Sequence, residues 1–128
     1  IFILLLINII LKLFMCMELT VGKYNLPLEV MDTPNKREMG MMGRENLKGG
    51  MIFLFPDVKE QTFWMKNCLI SLDIIMLIDN TVTMIHKDCP PCVGECDKYQ
   101  GLGNSVLELK SGMSDKLGIV LGSKLIIR

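Results

Sequence analysis

The sequence holds one histidine, one tryptophan, two tyrosines and five phenylalanines in 128 residues. A single histidine, His86, removes any metal motif built on two histidines and narrows the options for general acid–base catalysis. Neither sign of charge is in excess, with 14 basic against 14 acidic residues. A phosphate-binding surface normally shows a basic excess or stripe, so nucleic acid is not expected as a partner. No GxSxG elbow occurs and no serine sits in a strand-turn-helix context, which leaves a Ser/His/Asp nucleophile without support. Repeats, low-complexity tracts and inter-domain linkers are missing too, so one domain is expected.

The chain also lacks an apolar run long enough to cross a bilayer. The head, IFILLLINIILKLFMCM at 1–17, contains Asn8 and reaches its first charge at Lys12, whereas a spanning helix needs about twenty apolar residues. It reads as a signal-peptide core or anchor without its basic start, or as an extension outside the native product, with translation beginning at Met15 or Met17. Bulky Phe14 and Met15 disfavour lipoprotein processing at Cys16. The expected organisation is an apolar head over 1–17 and a single domain over 18–128. If the head is native, it would tether the protein to a membrane and the setting is extracytoplasmic or membrane-tethered; otherwise the setting is cytoplasmic. No other partner class is indicated.

What is present is mostly β pattern. Glu18 to Val30 alternates around Tyr24-Asn25, predicting two short strands and a turn. Asp32 or Thr33 then caps a helix opening on Pro34, where the missing N–H costs nothing, and Gly43 can end it. Gly49-Gly50 leads into a strand at 51–55 that Pro56-Asp57 should stop. Asp79-Asn80 offers a tight turn into a strand at 81–86. Residues 87–104, with little apolar content, read as a long surface loop. A strand at 105–109, a helical turn at 113–117 ended by Gly118 and a closing strand at 124–127 follow. The sum is a mainly β (α+β) domain, a small, partly closed antiparallel β-barrel with two short helices.

Phe63 to Ile78, FWMKNCLISLDIIMLI, is the stretch around which the rest is expected to pack. Its β-branched and leucine residues suit a strand buried on both faces, yet Lys66, Asn67 and Asp73 interrupt it, and a charge there is costly unless paired or hydrated. In one reading Lys66 and Asp73 pair with each other or cap backbone groups. In the other, Trp64, Lys66, Asn67 and Asp73 surround a shallow cleft with Arg44 across it, recognising an anionic or sugar-like ligand. The eleven methionines read as core filler, with Met39, Met41, Met42 and Met51 clustered near the helix.

TPNKREMGMMGR at 33–44, GMIFLFP at 50–56, FWMKNCLISLDII at 63–75, PCVGECDKY at 91–99 and VLELKSGMSDKLGI at 106–119 resemble, in order, the motifs of the family named domain of unknown function 192. The resemblance runs from about Leu26 to Arg128 and implies a small, mostly β domain, often behind a signal peptide in bacteria, with no established activity. The sequence departs from the pattern FWMKNTLIPLDII at Cys68 and Ser71, and adds Cys89.

His86, Cys89, Cys92 and Cys96 are spaced three, three and four apart, so these four ligands in a short loop would wrap a tetrahedral zinc. The competing reading is a disulfide between Cys92 and Cys96, the pair inside the family-like PCVGECDKY, closing a small loop for about 2 kcal/mol; free thiols are the third. For His86 the plainer expectation is a strand-end residue bonded to backbone. No cofactor is expected, zinc being the alternative. Three functions follow from these residues. The first is a non-enzymatic binding or accessory module. The others are a hydrolase using Asp73 with Lys66 or a loop-bound metal, and a structural component of a virion or envelope assembly.

Overall fold

The computed structural model describes residues 1–7 and 17–128. Most of the apolar head, including Cys16, thus lies outside the described residues. Residues 2–7 are helical (α1) and exposed, and among the described residues no helix is long and apolar enough to cross a membrane.

Strands β1 (Met17–Val21) and β2 (Tyr24–Met31) form an antiparallel hairpin. The turn is Gly22-Lys23, two residues before the expected Tyr24-Asn25, because Gly22 supplies the positive φ of 55° that short hairpin loops favour. Helix α2 (Pro34–Met39) follows, with Thr33 Oγ1 accepting from the Lys36 N–H at 3.2 Å and Pro34 in its first turn. It ends at Gly40, φ 43°, earlier than Gly43; a Cβ at Gly40 would stand 3.2 Å from the Phe53 ring. This crossover makes β3 (Gly50–Trp64) parallel to β2, while the other pairings between the described strands are antiparallel.

Two strand boundaries differ from expectation. Pro56-Asp57 does not end β3; the register with β6 shifts between Leu54 and Lys59, and this irregularity absorbs the proline that a regular ladder would reject. Phe63–Ile78 is accordingly not one strand. It holds the end of β3, a loop over 65–71, and β4 (Leu72–Ile78), which is buried on both faces. Likewise 87–104 is mostly strand: β5 (Thr81–Cys89) and β6 (Lys98–Lys110) leave a loop only at 90–97. The polar first half of β6 pairs with the second half of β3, Lys59 to Trp64, and Gly103 permits a close crossing, since a Cβ there would meet Leu77 O at 2.7 Å. Asp79 and Asn80, both at positive φ, form the β4–β5 turn.

Helix α3 (Met113–Lys116) and strand β7 (Ile126–Ile127) complete one sheet ordered β5-β4-β6-β3-β2-β1-β7. Just before β7 the chain bonds back to the start of β5, with Val82 N donating to Ser123 O at 2.8 Å and Leu125 N to Asn80 O at 2.8 Å. The curled sheet is thereby a partly closed barrel. Its interior is aliphatic, built on Leu19, Ile52, Ile75, Leu107 and Leu109 among others. A second core on the other face is rich in sulfur and aromatic residues, including Met41, Met51, Met65, Phe53 and Cys68.

Candidate functional site

Along β6 the side chains alternate between the two cores. Leu107 and Leu109 enter the barrel interior, while Val106 and Glu108 take the other face. β6 is central, paired on both sides, so Glu108 lies between Met51 of β3 and Ile74 of β4 and is 4% exposed. Among the described residues its buried Oε1 has no hydrogen-bond partner and the carboxyl forms no ion pair. Burial disfavours the charged form and pushes its pKa from 4.5 up to about 8. Near neutral pH the carboxyl is therefore largely protonated, a hydroxyl donor beside a carbonyl acceptor.

Glu108 lines a cavity of about 260 Å³ under α2. Its apolar wall is Phe53, Phe55 and Phe63, packed edge to face with ring centroids 4.8 Å apart for Phe53–Phe63 and 6.2 Å for Phe55–Phe63. Gln61, buried and donating from Nε2 to Gly103 O at 3.0 Å, and Cys68 add polar and sulfur atoms near the acid. Desolvation, with a smaller contribution from the Glu108 charge, raises the Cys68 thiol to about 11, which keeps it unreactive near neutral pH. At the mouth Arg37 donates to Leu54 O at 2.8 Å with its guanidinium 5.2 Å from the Phe55 ring, and Lys66 Nζ lies 5.1 Å from the Trp64 ring.

The sequence profile of domain of unknown function 192 (DUF192), described as Uncharacterized ACR, matches residues 17–127. The chain belongs to that family. No curated protein matches it. Two solved structures are similar along nearly their whole length. One, from Sinorhizobium meliloti 1021 and provisionally named a transcription regulator, is 28% identical with a TM-score of 0.76, over 88% of this chain and 92% of that one. The other, a protein of unknown function from Novosphingobium aromaticivorans DSM 12444, is 32% identical with a TM-score of 0.75, over 87% and 83%.

The DUF192 segment FWMKN to LDII brings only part of the sequence-nominated cleft together. Trp64 and Lys66 stand at the mouth of the cavity. Asn67 works through its backbone: at φ 59°, a conformation asparagine tolerates, its N–H donates to Cys92 O and its carbonyl accepts from Gly43 N, each at 2.9 Å. Asp73 is fully buried away from the cavity and does not pair with Lys66. Its Oδ1 accepts from Asp88 N at 3.0 Å, and its Oδ2 from Ser114 N at 3.0 Å and Ser114 Oγ at 2.7 Å, tying the β5 irregularity to the start of α3. Arg44 belongs to the exposed surface, in an ion pair with Glu29. Sequence reasoning missed Glu108 and the phenylalanine wall. The available signal was an acid in VLELK sharing a face with Val106 in a strand that has apolar residues on both.

The cysteine loop fastens this site. Cys92 and Cys96 form a disulfide with Cα atoms 5.8 Å apart. Cys92 is bonded to the loop carrying Lys66 and Cys68, donating from its N–H to Met65 O at 3.3 Å and accepting from Asn67 N. The four donors nominated for zinc do not converge. Two are consumed by the disulfide, Cys89 is buried with its thiol raised to about 11 mainly by desolvation, and His86 Nε2 lies 2.8 Å from Gln100 O. Among the described residues no group of three or more His, Cys, Asp or Glu is arranged to hold a metal ion.

Proposed function

We propose that this DUF192 domain is a non-enzymatic binding module that holds a small ligand in the pocket under α2. One observation carries the reading: three phenylalanine rings and a buried carboxyl line a cavity that the side chains of the described residues do not fill. Protein interiors pack to crystal density, and concave, largely apolar space with a few convergent polar groups is the usual form of a ligand site. At about 260 Å³ the cavity suits a single ring or the end of a larger molecule. The hydrolase alternative draws no support from Asp73, whose carboxylate is occupied by Ser114 and Asp88. The balanced charge favours ligand binding over phosphate binding, so the Sinorhizobium protein's name would reach this chain through ligand sensing rather than a basic DNA-binding face. The disulfide and the apolar head support an exported or membrane-tethered setting, since such bridges persist in oxidising compartments. Titration with small aromatic compounds, followed by the protein's backbone NMR signals, is expected to shift Gly40, Thr62 and Cys68 while leaving Ile75 and Leu107 in place. Shifts confined to other surfaces, or none, would contradict the reading.

A further inference from the structure

Resting on this pocket as a ligand site, we propose that it takes a small aromatic carboxamide or lactam, with Glu108 meeting the amide as hydrogen-bond donor and acceptor at once. Glu108 is an almost fully buried side chain of a central strand, it lines the cavity, and its Oε1 has no partner among the described residues. A buried polar atom without a partner is costly, and a ligand that supplies one recovers that cost on binding.

The chemistry of that partner follows from what surrounds the acid. The ionisable groups facing it are Cys68 from the 65–71 loop, Cys89 from β5, and Arg37, Glu38 and Lys66 around the mouth. Both thiols stay neutral to about 11. Arg37 is engaged by Leu54 O and Phe55, and Lys66 lies over Trp64. Among the described residues no cation therefore holds Glu108 ionised, and the protonated carboxyl sets one donor beside one acceptor. An amide presents the complementary acceptor and donor and buries no charge. An amine would have to pass Arg37 and Lys66 and ionise Glu108, and a carboxylate would lose its water beside an acid, so both are disfavoured. The wall of Phe53, Phe55 and Phe63 suits an aromatic body in edge or offset contact. A ring fits within an apolar cavity of about 150 Å³, and the present volume of about 260 Å³ leaves room for the amide.

The test is the affinity of the full chain for benzamide, benzylamine and toluene at pH 6.5 and pH 9.5, measured by NMR titration. At pH 6.5 benzamide should bind at least tenfold more tightly than either of the others. At pH 9.5 that affinity should fall at least tenfold, as Glu108 loses its proton and the competent fraction shrinks. Glu108→Leu should bind toluene and show no preference for benzamide. Glu108→Gln, which keeps one donor and one acceptor, should retain the preference and lose the pH dependence, and it covers the case in which the leucine variant fails to fold. If toluene binds and benzamide binds no better, the pocket stands and the amide assignment falls. If benzylamine binds most tightly, the assignment falls to a cation. If none of the three binds, the pocket reading itself is wrong.

Discussion

Two carboxyl groups are buried in this domain, and the protein treats them oppositely. Asp73, beside the aliphatic interior, receives three hydrogen bonds from Asp88 and Ser114. Glu108, on the opposite face of the sheet, has one oxygen with none among the described residues. The surroundings differ in the same sense. The barrel interior is built mostly from leucine, isoleucine and valine, whereas the second core is rich in methionine, phenylalanine and cysteine and borders the cavity that Glu108 lines. Branched aliphatic side chains specify a single packing, while methionine is flexible and adapts around irregular space. A buried acid whose oxygens are satisfied by the fold reads as structure. An unsatisfied one lining a cavity reads as a site.

The largest effect expected from this contrast is at Asp73. Asp73→Ala leaves a hydroxyl and two N–H groups of the fold without their acceptor and should cost about 4 kcal/mol in urea unfolding. Lys66→Met, whose ammonium lies over Trp64 near solvent, should change stability by less than about 0.5 kcal/mol, and the two effects should add. A large loss at Lys66, or strong coupling between the two, would blur the distinction between structural and site residues. Reduction of Cys92–Cys96 should cost about 2 kcal/mol. Because Cys92 is bonded to Met65 and Asn67, reduction should also speed hydrogen exchange at Asn67 while leaving Leu107 and Ile75 protected. Equal loosening of both cores would show that the bridge stabilises the domain generally and has no particular hold on the site.

Much of the fold was legible because alternation and turn chemistry act locally. Asp79-Asn80, Pro34 and the apolar run of β4 each declared their roles. The missed features depend on pairing across the chain. Pro56 reads as a strand end until the irregularity against β6 absorbs it, and Lys98 to Asn104 reads as loop until Lys59 to Trp64 supplies a partner strand. The site was half legible for the same reason. Lys66 and Asp73 are conspicuous in sequence because their neighbours are apolar, but their hydrogen-bond partners lie far along the chain or are absent. Glu108 looked like an ordinary outward residue of an alternating strand, and only its place between β3 and β4 buries it.

The most direct measurement is the unfolding free energy of the protein and of Glu108→Gln, compared between pH 5.5 and pH 8. The folded acid keeps its proton up to about 8 while the unfolded one loses it near 4.5, so the folded state binds more protons across this window and stability must fall as pH rises. Relative to the glutamine variant, the wild-type protein should lose roughly 3 kcal/mol between these two pH values. A difference that stays flat across the window would mean that Glu108 is ionised and partnered in the folded protein, and the reading of the second core as a site built around an uncharged acid would be wrong.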